Sequence, residues 1–185
     1  MGREGSGAAA RPRAQKRVPA ALPAPPPRVR RGVSLGGFSP PAPAATNAVM
    51  AQQHLQFETG LLPVQTGTAV EFPNLDPLFH NVFSYSRPRR FDLGRYAQGE
   101  RPPPQRFDRP GVVRLNCEIH PHMRATILVL STPHFTRTDT NGAFRLTGLP
   151  AGRHTLKAWV EEKDGRVRTV ELTAGTTLTV DFPAP

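Results

Sequence analysis

Cysteine and tryptophan each occur once in this 185-residue chain, tyrosine twice and methionine three times. A single cysteine excludes an internal disulfide framework, a four-cysteine zinc site and a two-cysteine dithiol motif. It leaves a free thiol, an intermolecular bridge or a metal ligand. No apolar run is long enough for a signal-peptide core or an integral membrane segment, so neither is expected. Helical periodicity of useful length is also lacking. Acidic side chains are few, 14 against 24 Lys and Arg, for a net charge of +10.

That charge is unevenly placed. Residues 1–46 carry seven Arg and Lys16 against Glu4, so only +3 remains for residues 47–185. The segment is rich in Ala, Pro, Gly and Arg and poor in large apolar residues, too little to offset chain entropy, and is expected to be a disordered leader. Within it, "RRGVSLGGF" has the look of a twin-arginine start but no hydrophobic segment follows, and "APAAT" at 42–46 resembles a cleavage site. The basicity therefore belongs mainly to the leader. Without interleaved stacking aromatics or a recognisable module, no nucleic-acid partner is expected.

From Val49 onward, strand-length segments alternate with turn residues. "VMAQQHLQF", "TAVEF" at 68–72 and "LFHNVFSYS" at 78–86 read as strands, and "LLPVQTG" reads as punctuation through Pro63 and Gly67. Between residues 87 and 111 the Pro and Gly content permits only short regular structure. "VVRLNC" and "ATILVL" at 125–130 are two further strands. Beyond Thr132, "TDTNGAFRL" reads as a hairpin through Asn141-Gly142. "HTLKAWVE", "VRTVEL" after a tight turn at "KDGR", and "TTLTVDF" follow as alternating strands. Short strands separated by turns predict an all-β chain of sandwich type.

The only cysteine lies in "CEIHPHM", residues 117–123, between two of these strands. Cys117, His120 and Met123 are spaced Cys-x-x-His-x-x-Met in a loop, where three side chains can converge; on a strand they would alternate between faces. "FHNVF" offers His80 as a fourth donor. A thiolate, two imidazoles and a weak thioether form the donor set of a blue-copper site. Zinc is the alternative metal, held by Cys117 with His80, His120 and His122, though Met123 would then have no purpose. His122 otherwise reads as a rim residue beside His120.

Residues 49–130 resemble a cupredoxin of the plastocyanin, amicyanin and pseudoazurin kind. "GTAVEFPNLDPLFHNVFS" is similar to that family's G-x-x-V-x-F-x-N-x-D … H-N-V stretch, and "CEIHPHM" to its C-terminal ligand loop in the short, amicyanin-like form. The resemblance implies a Greek-key β-sandwich holding one copper ion, Cu(I)/Cu(II), at His80, Cys117, His120 and Met123. Asn81 would tie the ligand strand to the cysteine loop. His122, where an apolar residue is common, and the Pro/Arg-rich insert depart from the pattern. The C-terminal segment resembles a carboxypeptidase regulatory-like domain, a small transthyretin-like β-sandwich. Its first strand is missing, and must come from "ILVL", from the leader or from sequence upstream.

The expected organisation is a leader at 1–46, a cupredoxin unit at 47–131 and a regulatory-like β-sandwich at 132–185. Removing the leader is expected to leave stability and copper binding unchanged. The implied function is single-electron transfer between protein redox partners, with no catalytic residues and no enzyme activity. Asn116 and Glu118 flank Cys117, so the His-Cys-His wiring of multicopper enzymes is missing. A non-redox copper carrier or sensor, or a metal-stabilised interaction module, is the alternative. Eight Arg against three acids at 87–114 would suit an anionic partner. The resemblance implies a periplasmic location.

Overall fold

The computed structural model describes residues 31–36, 47–160 and 163–182, with only the backbone described for 31–36, 160, 163 and 164. These residues form an all-β arrangement with no helix among them. The strands run β1 (Arg31–Gly36), β2 (Asn47–Val49), β3 (Gln52–Gln53), β4 (Gln56–Phe57) and β5 (Leu61–Gln65). Next come β6 (Thr68–Glu71), β7 (His80–Ser84), β8 (Phe91–Tyr96), β9 (Gln105–Phe107) and β10 (Gly111–Asn116). The chain ends with β11 (Arg124–Leu130), β12 (Phe135–Arg137), β13 (Gly152–Val160) and β14 (Lys163–Leu172).

A five-stranded sheet, β5-β11-β10-β7-β8, faces a three-stranded one, β2-β6-β9. Alternation along each strand sends one set of side chains into the space between them. Val64, Val82, Tyr96, Val113, Leu115, Ile127 and Val129 from the first sheet meet Val70 and Phe107 from the second, with Met50 and Phe72 beside them. Cys117 and Met123 belong to this same core.

Pro63, which reads as a strand breaker, lies inside β5, opposite Leu128. The strand tolerates it because β5 is a sheet edge, where a missing N–H costs no ladder bond. "VMAQQHLQF" is not one strand but three short pieces. His54 and Leu55 both adopt positive φ, 56° and 57°, and make a tight hairpin turn between β3 and β4.

The C-terminal sheet has the order β12-β1-β13-β14. Its second strand is Arg31–Gly36, inside the stretch that composition assigns to a structureless leader. That expectation is corrected for these six residues: β1 lies antiparallel to both neighbours, with Val33 opposite Thr136 and Ala158. Long-range pairing overrides local composition, and "GVSLG" retains a short apolar alternation that fits a ladder. Residues 1–30 and 37–46 of the expected leader lie outside the described residues. The missing first strand thus comes from the leader segment and not from "ILVL", which forms β11.

Two turn readings also change. Asn141-Gly142 does turn, with Gly142 N donating to Asp139 O and Ala143 N to Asp139 Oδ1. The strand before it pairs with β1, however, and no ladder joins it to Phe144–Leu146. "KDGR" lies within β14 because Lys163 already pairs with Val160. Gly165 serves a bulge there: a Cβ on it would overlap the Ala158 carbonyl oxygen. The "TTLTVDF" strand is absent from the ladders, although Val180 and Phe182 pack on Leu156 and Ala158.

The two parts of the molecule meet through Leu61, Leu128 and Leu130, against which Phe135 and Trp159 pack. Arg137 adds a hydrogen bond to Thr59 Oγ1 at 2.8 Å.

Because β1 is internal to its sheet, Val33→Pro in the full chain is expected to destabilise the C-terminal sheet by about 2–3 kcal/mol. Trp159, the single tryptophan, lies opposite Gly32 and reports this directly. Its fluorescence should unfold at lower temperature in the variant. An unchanged transition would show that β1 is dispensable.

Candidate metal centre

Three elements bring the donors together. β7 starts at His80, whose inward alternation buries it completely. β10 ends at Asn116 and releases Cys117 into the loop that returns as β11. In that loop Met123 N donates to His120 O at 2.9 Å, folding His120 back toward Cys117.

His80 Nδ1 and His120 Nδ1 lie 3.1 Å apart. Cys117 Sγ stands 4.0 Å from the first and 3.7 Å from the second. The three donor atoms all lie within 4.8 Å of one another. Cys117 is buried, while His120 is partly exposed. Of the four sequence-predicted ligands these three converge, and Met123 is buried at 1 % exposure in the core cluster that also contains Cys117. His122 is not part of the cluster: its Nε2 donates to Leu55 O at 3.1 Å, and its ring centroid is 6.1 Å from that of His120.

Asn81 acts as expected. Its Oδ1 accepts the N–H of Glu118, next to Cys117, at 3.2 Å. Its Nδ2 donates to Asp92 Oδ1 and Gly94 O. One side chain thereby fastens the His80 strand to the cysteine loop and to β8.

Asp76 was not singled out from the sequence, yet it holds the other side of His80. Its Oδ2 accepts from His80 Nε2 at 2.9 Å, and its two oxygens accept the N–H groups of His54 and Leu55. A carboxylate only accepts, so His80 carries a proton on Nε2 and turns Nδ1 toward Cys117 and His120. A lone acid four residues before a histidine, the D of the N-x-D element in "PNLDPLF", was the available signal. Gln52 and Tyr96 form a further buried pair, with Tyr96 Oη donating to Gln52 Oε1.

The electrostatics shift the Cys117 thiol toward its thiolate. Burial pushes the Cys117 thiol up, but His80 and backbone hydrogen bonds from Asn81, His120 and Ile119 outweigh it, and the net shift is downward. Burial opposes charge on His80, yet bonds to Cys117 and Asp76 raise it overall. His120 is lowered, by burial first and then by the charges of His80 and His122. Burial would raise Asp76, but Leu55 N–H, His80 and His54 N–H hold it below 3.8. A thiolate with two imidazole nitrogens suits a borderline-soft cation, copper or zinc.

A family model described as the carboxypeptidase regulatory-like domain matches residues 111–184. The match begins at β10 and so includes the Cys117 loop. No curated protein sequence matches the chain. Solved structures similar to it include a copper-containing nitrite reductase from Thermus scotoductus SA-01. The identity is 25 %, over 48 % of this chain and 25 % of that one, with a TM-score of 0.43. A purple cupredoxin from Nitrosopumilus maritimus is 21 % identical over 45 % of this chain and 99 % of its own, at 0.40. Amicyanin from Paracoccus versutus is 18 % identical over 53 % and 97 %, also at 0.40. The chain thus spans a quarter of the reductase and nearly all of the two small copper proteins.

Asp76→Asn replaces a carboxylate that accepts three hydrogen bonds with an amide that has one acceptor oxygen, and is expected to destabilise the fold by about 2 kcal/mol at neutral pH. The folded-state pKa of Asp76 is lowered, so its stabilisation is present above the unfolded value and lost as pH falls through the folded one. The gap in melting temperature between wild type and variant should therefore narrow as pH falls below the ordinary carboxylate range and close in stronger acid. A gap that persists in acid would mean that the carboxylate charge contributes nothing.

Proposed function

We propose that the protein holds one copper ion at His80, Cys117 and His120 and exchanges single electrons with protein redox partners. The observation that carries this reading is the convergence of one thiol sulfur and two imidazole Nδ1 atoms within 4.8 Å, with His120 partly exposed. A copper ion bound there would supply a one-electron couple between Cu(I) and Cu(II). The remaining work falls to the chain. Asp76 fixes the His80 tautomer, Asn81 sets the spacing between β7 and the loop, and burial keeps water from Cys117. His120 offers the edge at which a partner approaches.

Met123 completes the set as a weak axial donor, a role supported by its place in the loop and its burial in the core cluster that contains Cys117. Zinc fits less well, because His122, the further nitrogen a tetrahedral zinc site would use, is occupied by Leu55 O. Asn116 and Glu118 beside Cys117 favour electron transfer over catalysis at a second metal centre. No helix among the described residues is long and apolar enough to cross a membrane. A periplasmic setting follows from the cupredoxin resemblance.

Visible absorption and EPR of the copper-loaded protein test the reading. An intense thiolate-to-Cu(II) band is expected in the wild type and none in Cys117→Ser, whose hydroxyl is a harder donor of far higher pKa. Met123→Leu should keep the colour and raise the reduction potential, since a donor that favours Cu(II) is lost. His120→Gly should open the site so that added imidazole partly restores the band. A wild-type protein without the band, or one that binds Cu(I) alone, would be a carrier or sensor.

A further inference from the structure

The outer face of the five-stranded sheet around β7 has no role in the metal centre. Val82 and Ser84 turn inward and are fully buried, so Phe83 and, one residue past the strand, Tyr85 alternate outward. Tyr85 is 71 % exposed and its ring lies 5.2 Å from that of Phe83. Such exposure leaves Tyr85 without a part in the core.

The register places arginines on both sides of it. Phe83 faces Asn116 of β10. Arg114, two residues earlier, donates its backbone N–H to Ser86 Oγ at 2.9 Å, which sets it across from Tyr85. On the other side Ser84 faces Phe91, so continuation of the ladder puts Arg90 opposite Tyr85. Arg87, Arg90, Arg95 and Arg114 are all exposed.

We propose that this face is a docking surface for an acidic protein, with Tyr85 as the anchor and Arg90 and Arg114 as the flanking charges. A tyrosine gives a large contact area at little entropic cost, and arginine pairs with carboxylates in a bidentate geometry. The charge of the segment is complementary to such a partner and steers it from a distance. A nucleic acid fits less well, because one exposed ring, already packed against Phe83, gives no series of platforms on which successive bases could stack. The surface also leads to the site: Asn116, the cross-strand neighbour of Phe83, precedes Cys117 in the chain. The purpose of the surface rests on the electron-transfer reading, but its binding does not require the copper.

Residue-resolved NMR of the full chain tests this, by titration at low salt with an octaglutamate peptide and, separately, with a thymidine octanucleotide. Octaglutamate is expected to shift signals of Phe83 to Arg90 and of Arg114. Arg90→Glu with Arg114→Glu should weaken that binding by about tenfold or more, and Tyr85→Ala should weaken it without altering its salt dependence. Shifts confined to residues 1–46, shifts spread evenly over the arginines, or tighter binding of the oligonucleotide at Tyr85 would each overturn the proposal. The same titration gives its answer with copper-free protein, so a failure of the copper reading would be seen in the absorption spectrum and not here.

Discussion

Two imidazole nitrogens held 3.1 Å apart, both turned toward one buried sulfur, make a demanding arrangement for a protein interior. Two nitrogens this close can share only one proton, and buried polar atoms are costly unless they are paired. The surrounding structure holds them in place. Asp76 takes the far nitrogen of His80, the His54–Leu55 turn saturates Asp76, and Asn81 pins the loop to the strand. The hairpin between β3 and β4 thus supports the site although none of its residues belongs to the donor set. Its Leu55 carbonyl also receives His122, which moors the ligand loop from the other side.

The donors were legible because their types are rare and their spacing is local. Cys117 and His120 are three residues apart in one loop, and the strand carrying His80 announces itself through alternating aromatic and β-branched residues. Asp76 was hidden. Its partners are backbone N–H groups of residues 54 and 55, and the positive φ values that aim those groups leave no mark in "QHLQ". The core strands were also readable, since β6, β7, β10 and β11 carry apolar runs with clear ends. β5 was not, because a proline suppresses a strand signal regardless of whether the position is an edge.

The failure at Arg31–Gly36 has a different origin. Local composition speaks for six residues surrounded by Ala, Pro and Arg, whereas their structure is decided by strands far along the chain. Two alternating apolar residues are a weak signal alone and a sufficient one between two ready-made ladders. The same logic explains "TTLTVDF", whose alternation is stronger but which pairs with no strand among the described residues.

The place of β1 also has a consequence for synthesis. The chain leaves the ribosome from its N-terminus, so Arg31–Gly36 emerges before the strands on either side of it. The whole sandwich that carries the candidate metal centre is made, and can close, while that segment still has no partner. Only when Gly152–Val160 has been translated does a ladder exist to receive it. The last sheet to form thus draws its second strand from a segment made long before its neighbours, and its closure reports that synthesis has passed Val160.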